Sequence, residues 1–155
     1  MKKLLATAFG LGLSPIAPGC FGALLGLAWH LAAWYLGVNG IALRAWCLFG
    51  AVLFSAIHYW LTPWAQQYWH DSDPGHFVLD EVVGYLCVPV LSIEAKSLEY
   101  ILLGYVLVRV FDIIKLPGAR YIDRNIHTAT GVLFDDVVSA IYAAAALSAV
   151  IHFRA

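Results

Sequence analysis

Two pairs of adjacent carboxylates, Asp80–Glu81 and Asp135–Asp136, each open an apolar segment of a chain that carries few charges. Carboxylates are costly where a helix enters an apolar environment, and they usually serve a function there. Neighbouring helical residues point about 100° apart, so one member of a pair can meet a cation while the other orients it. Hard oxygen ligands without a histidine or thiolate favour Mg²⁺ or Mn²⁺ over zinc. A single pair would be explained by the helix dipole alone, but two pairs together favour a metal site.

A second pattern, formed by Arg109, Asp112 and Lys115, places alternating charges on one side of a helix end because the residues are three apart. Such cations neutralise the oxygens of a phosphate monoester, and the carboxylate between them can hold a metal. A helix-end salt bridge is the simpler alternative. Asp123 and Arg124 add polar groups to the following segment.

The segment Ser14–Gly22 is a rigid turn rich in proline and glycine that leads into an apolar run. Its free backbone N–H groups could face an anion, or it could be only a bend between two apolar segments. No GxSxG motif and no HExxH spacing occurs in the chain, so a serine hydrolase or a zinc protease has no support. Three distant cysteines indicate neither a zinc site nor a disulfide framework.

Composition places these residues in a membrane protein. The 155 residues are 62% hydrophobic and 12% charged, about half the charge of an average soluble domain, which is roughly 25%. The length allows a single domain over residues 1–155, and its class is an all-α helical membrane bundle. A net charge of -1 gives no sign of nucleic-acid binding. A secretory signal over Met1–Leu13 is the less favoured alternative, because it leaves the later apolar segments unexplained.

About five membrane-embedded helical segments are predicted. The second is expected to end before Pro63, and a polar stretch with interfacial aromatic residues is expected over Trp64–His76. The predicted segments are Phe21–Leu36, Ala42–Leu61, Val78–Leu91, Leu98–Phe111 and Val132–Phe153.

Charge is distributed unevenly between the two ends of these segments. Lysine and arginine are richer at the end that carries Lys2 and Lys3, which the positive-inside rule assigns to the cytoplasm. The opposite loops hold Arg44, Glu94, Lys96 and Glu99. All other acidic residues lie at the cytoplasmic ends: Asp71, Asp73, Asp80, Glu81, Asp112, Asp123, Asp135 and Asp136.

Together these segments resemble the phosphatidylglycerophosphatase A family of bacterial membrane lipid phosphatases. The matching segments are Gly10-x-Gly12-x-x-Pro15-x-Ala17-Pro18-Gly19, Asp80-Glu81-x-x-Gly84, Arg109-x-x-Asp112-x-x-Lys115, Asp123-Arg124 and Gly131-x-x-x-Asp135-Asp136. The resemblance implies Mg²⁺-dependent removal of the terminal phosphate of phosphatidylglycerophosphate at the cytoplasmic face of the inner membrane. The expected partners are the phosphorylated glycerophospholipid and the bilayer.

Roles follow for the candidate residues. Asp80, Asp135 and Asp136 are expected to hold Mg²⁺, with Glu81 and Asp112 as further catalytic residues, either ligands or the base. Arg109, Lys115 and Arg124 are expected to bind the phosphate. Attack by water and an aspartyl-phosphate intermediate both stay open.

Several positions depart from the family pattern. Cys20 and Ala23 stand where the family usually has threonine and serine. The family's Lys-Pro-Trp-Pro-like run appears here as Lys115-Leu116-Pro117-Gly118, and its glycine pair before the final motif appears as Thr128-Ala129-Thr130. All the carboxylates are present, so these changes concern the head group more than the metal. The alternatives are therefore a family relative that acts on another phosphorylated lipid, and a non-catalytic membrane protein such as a small transporter.

Overall fold

The structure is a computed structural model that describes residues 1–95 and 97–154, so Lys96 lies outside the described part. The described residues form seven α-helices and a short 3-10 helix at Leu11–Leu13, which confirms the all-α fold class. The helices are α1 (Lys2–Ala6), α2 (Pro18–Tyr35), α3 (Gly40–Trp69), α4 (Leu79–Leu91), α5 (Leu98–Ile114), α6 (Ala119–Asn125) and α7 (Ala129–Arg154).

Helix α4 is the centre of the bundle. It packs against α2, α3, α5 and α7, and Val82, Val83, Tyr85 and Leu86 are buried on its different sides. A helix that is apolar all round is stable only when it is surrounded, and the longer helices provide that cover. With 13 residues α4 is about 20 Å long, so its first turn brings Asp80 to one end of the core.

Glycines set the distance between α4 and its neighbours. A Cβ atom at Gly26 of α2 would lie 2.8 Å from the Val82 carbonyl oxygen, and one at Gly84 of α4 would lie 3.1 Å from Cβ of Asp136. Small residues permit this close approach of helix backbones in apolar bundles. The contact at Gly84 brings α4 and α7 together beside both carboxylate pairs.

The helix ends fall into two groups at opposite ends of the bundle. At one end, Lys2 Nζ lies 5.7 Å from the Trp60 ring, near the C-terminal part of α3. At the other end, Glu94 accepts a hydrogen bond from Gly40 N at 2.7 Å, and Glu99 pairs with Arg154 at 3.2 Å. Glu94 and Glu99 are thus separated from the other acids, as their positions along the sequence predict.

Two of the described helices, α3 and α7, are long and apolar enough to cross a membrane. Large apolar side chains such as Phe49, Val52 and Trp60 of α3 are exposed on its outer face. Apolar surface of this extent is expected where lipid covers a protein.

The predicted end of the second segment is wrong. Helix α3 continues through Pro63 to Trp69, where an end at Leu61 and a polar connection were predicted. Proline removes one helical N–H, but the turn is retained, with Thr62 Oγ1 donating to the His58 carbonyl at 2.7 Å and with Trp64 stacked on Tyr68.

Three other helices extend three residues beyond the predicted segments: α2 begins at Pro18, a favoured first position, α5 ends at Ile114 and α7 begins at Ala129. The prediction that Asp135 and Asp136 open a helix is therefore wrong, because both lie within α7. The segment after Gly118, for which no helix was predicted, forms α6.

The close approach of α2 and α4 makes a stability prediction. Gly26→Val places a side chain against the Val82 carbonyl and Tyr85, so we expect a loss of about 1–3 kcal/mol, which is typical of overpacking. Thermal unfolding of the purified protein in detergent measures it. Gly75→Val is the matched control, because a Cβ atom there meets nothing within 4 Å. Equal unfolding temperatures for the two variants would contradict the packing argument.

Candidate metal and phosphate site

Three helices place acidic side chains around one cleft at the end of the bundle. The cleft has a volume of about 210 Å³. It is lined by Asp80 and Glu81 from the start of α4, Asp112, Ile113 and Lys115 from the end of α5, Asp135 and Asp136 from α7, and Asp73, Pro74, Gly75 and Phe77 from the loop before α4. The two carboxylate pairs and Asp112, which are far apart in sequence, therefore meet in space.

The carboxylates form two overlapping groups. Asp80, Glu81 and Asp136 offer oxygen atoms within 4.8 Å of one another, and so do Asp112, Asp135 and Asp136. Asp136 belongs to both groups and is only 4% exposed. A geometry of this kind, with one shared carboxylate, can hold one or two divalent cations.

Unpaired oxygens show that these residues fit a cation. Asp80 Oδ1, Glu81 Oε2 and Asp136 Oδ2 are buried and have no hydrogen-bond partner among the described residues. A buried, unpaired carboxylate is strongly unfavourable, and a bound cation offsets that cost. Oxygen donors without a histidine or cysteine suit Mg²⁺ or Mn²⁺.

Arg109 supplies a buried positive charge beside the first group. Its Nη2 atom lies 2.9 Å from Asp112 Oδ2 and 4.0 Å from Glu81 Oε1, while Nε has no partner in the described residues. Only part of the guanidinium is hydrogen-bonded to carboxylates, so N–H donors remain that can bind a phosphate oxygen.

The proline- and glycine-rich turn lies against this arginine. A Cβ atom at Gly19 would overlap the Glu81 carboxylate and the Arg109 guanidinium, so the ends of these two side chains pack directly against the first turn of α2. Tyr105 Oη donates to the Cys20 carbonyl at 2.7 Å and fixes the same turn from α5. The turn does not line the cleft, but it packs against Glu81 and Arg109 and so supports two side chains of the site.

Lys115 caps the second group. Its ammonium donates to Asp135 and, at 2.9 Å, to Asp123, and it lies 3.8 Å from Asp112. Burial lowers the pKa of Lys115, but the hydrogen bonds to Asp135 and Asp123 outweigh it and raise that pKa above its ordinary value. The lysine is therefore held in its charged form. Its backbone, with φ of 48°, is left-handed and turns the chain from α5 towards α6.

The structure does not bring every predicted residue into the cleft. Neither Arg109 nor Arg124 is among the cleft-lining residues. Arg109 reaches the site through its contacts with Asp112 and Glu81, and Arg124 is exposed on α6, whereas its neighbour Asp123 joins the site through Lys115. Asp73 lines the cleft but was not predicted as a site residue, because only its place among the acids of this end pointed to it.

His58 was also missed as a residue that supports the site. Its Nε2 atom donates to the Ala129 carbonyl at 3.0 Å, and its ring stacks on Phe77 at a centroid distance of 4.9 Å. These contacts fix the start of α7 and the loop that leads to Asp80. A lone histidine in an apolar helix carries no sequence signal for this role.

Comparison with known proteins decides the family. The family model of phosphatidylglycerophosphatase A matches residues 4–151, nearly the whole chain. The chain belongs to the phosphatidylglycerophosphatase A family. The predicted resemblance is confirmed, and a lipid phosphatase of this family is favoured over a transporter.

Relatives within the phosphatidylglycerophosphatase A family differ in the substrate they are named for. Phosphatidylglycerophosphatase A of Escherichia coli is 30% identical over 96% of this chain and 83% of its own length. The Haemophilus influenzae protein of the same name is 36% identical over 90% of this chain and 82% of its own length. A Bacteroides thetaiotaomicron protein, provisionally named a phosphatidylinositol-3-phosphatase, is 34% identical over 92% of this chain and 88% of its own length. No solved structure matches the chain.

The unpaired oxygens predict a metal-dependent stability. Asp136→Asn removes one charge from a crowded group, so the protein without added metal should be as stable as the wild type or more stable. At a Mg²⁺ concentration about a hundredfold above its Kd, the wild type should gain about 2.7 kcal/mol, and the variant clearly less.

Thermal unfolding with and without Mg²⁺ measures this difference. The matched control is Glu99→Gln, which removes a carboxylate at the opposite end, where the side chain is 72% exposed. An undiminished Mg²⁺ effect in Asp136→Asn would remove Asp136 from the metal ligands.

Proposed function

We propose that this protein is a Mg²⁺-dependent phosphatase that hydrolyses phosphatidylglycerophosphate to phosphatidylglycerol and inorganic phosphate. The observation that carries the proposal is a set of buried carboxylate oxygens without hydrogen-bond partners, beside the partly free guanidinium of Arg109. A cation and a phosphate monoester are the ligands that complement these two features.

Each residue has a proposed part in the reaction. Asp80, Asp135 and Asp136 hold Mg²⁺, which when bound supplies positive charge that stabilises the phosphate oxygens in the transition state. Arg109, with Lys115, binds phosphate oxygens and orients the phosphorus atom, while the exposed Arg124 adds positive charge only from outside the cleft. Glu81 or Asp112 accepts a proton from the attacking water.

Hydrolysis is then a displacement at phosphorus, in which water replaces the glycerol oxygen of the lipid. A P–O bond forms from water while the P–O bond to the glycerol oxygen breaks, and that oxygen takes up a proton. An aspartyl phosphate that is later hydrolysed gives the same products.

Phosphatidylinositol 3-phosphate is the second candidate substrate. It also carries a phosphate monoester on a lipid head group, and the Bacteroides relative is about as similar to this chain as the two phosphatidylglycerophosphatases are. Cys20, a departure from the family pattern, lies in the turn that packs against Arg109. A changed turn could alter the preferred head group, so both lipids belong in the test.

Phosphate release by the detergent-purified protein tests the proposal. We expect release from phosphatidylglycerophosphate that depends on Mg²⁺ and falls at least about a hundredfold in Asp135→Asn and in Asp136→Asn. Glu99→Gln should keep wild-type activity. Preferential release from phosphatidylinositol 3-phosphate would establish the second candidate, and no Mg²⁺-dependent release from either lipid would refute the proposed function.

The proposed location is the inner membrane, with helices α2, α3, α4, α5 and α7 embedded in it and the cleft at the cytoplasmic face. Support comes from the shared end of the bundle, where Lys2 and Lys3 contact the aromatic rings of Trp60 and Tyr68. Lysines at this end agree with the positive-inside rule.

Cysteine labelling in intact cells tests this orientation. When Arg120→Cys is introduced into a variant whose native cysteines are replaced, the new thiol should lie on the cytoplasmic side and should not react with a membrane-impermeant maleimide. A cysteine at Asn39, which is exposed at the opposite end, is the control and should react. The reverse pattern would place the cleft on the outer side.

A further inference from the structure

The two carboxylate groups of the cleft resemble the arrangement of a two-metal site. Such sites hold cations about 3.5–4 Å apart and often share a carboxylate, as the groups here share Asp136. The groups differ in one respect, however. A side-chain ammonium reaches into the group formed by Asp112, Asp135 and Asp136.

That ammonium belongs to Lys115. It donates to Asp135 and lies 3.8 Å from Asp112, so it faces two of the three carboxylates. Asp123 of α6 holds it from the other side at 2.9 Å. The left-handed backbone at Lys115 turns the chain from α5 towards α6. The ammonium group is held by Asp135 of α7 and Asp123 of α6.

No side-chain cation pairs with Asp80 in the group formed by Asp80, Glu81 and Asp136, within the described part of the chain. Arg109 approaches Glu81 only to 4.0 Å and pairs instead with Asp112 at 2.9 Å. Asp80 and Asp136 are each more than nine-tenths buried, and each keeps an oxygen without a hydrogen-bond partner. The buried carboxylate oxygens that lack a partner, and that a cation would stabilise, therefore belong to this first group.

We propose that Lys115 is a built-in cation that takes the place of a second metal, so that each chain binds one divalent cation, between Asp80, Glu81 and Asp136. The inference rests on the proposed Mg²⁺-dependent function and changes its ligand set: Glu81 replaces Asp135 as a ligand, which leaves Asp112 to accept the proton from water. Asp135 then acts as a positioning residue that holds Lys115, and a single fixed positive charge does the work of the second metal on the phosphate.

Mn²⁺, a hard cation with similar oxygen ligands, serves as the probe for counting metal sites. The full-length protein in a neutral detergent is titrated with Mn²⁺, and electron paramagnetic resonance reports both the free ion and the environment of the bound ion. We expect the wild type to bind one Mn²⁺ per chain with the signal of an isolated ion. Lys115→Met should bind two, with the signal of magnetically coupled ions.

Two further variants test whether the number of bound ions depends on the charge at position 115 itself or on the positive charge of this end of the bundle. Lys115→Arg keeps a cation at the second group and should bind one Mn²⁺. Arg120→Met removes a cation from the same end of the bundle, but that side chain bonds the Ile114 carbonyl and no cleft carboxylate, so it should also bind one.

Each outcome decides the proposal. Two Mn²⁺ ions in the wild type, or one in a Lys115→Met protein that unfolds at the wild-type temperature, would overturn it. If Lys115→Met does not fold, the counts for the wild type and Lys115→Arg decide, and two ions in either refute the built-in cation. Phosphate release with two bound ions would leave the proposed function intact, whereas no metal binding at all would refute both.

Discussion

Desolvation of several carboxylates around one end of a short central helix is the constraint on which the rest of this structure depends. Asp80, Asp112, Asp135 and Asp136 are each less than 10% exposed. Unpaired acids at this depth would destabilise the fold unless cations accompany them. The bundle provides Arg109 and Lys115, and the other oxygens could hold a metal ion, whose binding would then stabilise the fold.

Helix packing makes this concentration of charge achievable. The start of α4 lies between α2 and α7, and the glycine contacts at Gly19 and Gly84 allow the backbones to approach until their polar side chains meet. Contacts from His58 to Ala129 and to Phe77 hold the adjoining loop and the start of α7. A site built on helix ends in this way keeps its ligands in place with little conformational freedom to lose on binding.

The position of the cleft suits a substrate that remains in the membrane. Ile113 lines the cleft and is 69% exposed, with Ile114 exposed beside it. Under the proposed function, the phosphate of a lipid can enter the polar cleft while its acyl chains stay against apolar side chains. Under the same proposal, relatives can be named for different lipid head groups because both lipids carry a phosphate monoester.

The sequence by itself determined the all-α class, the apolar helices α2, α4, α5 and α7 to within three residues of their observed bounds, and the pairs of acidic residues that meet in the cleft. It did so because runs of apolar residues, charge and helical spacing are local properties. Tertiary structure decided which oxygens stay unpaired, that Lys115 binds Asp123 and Asp135 while Arg124 faces outwards, and that α3 continues through Pro63. Those features depend on contacts between residues far apart in the chain, which no local pattern encodes.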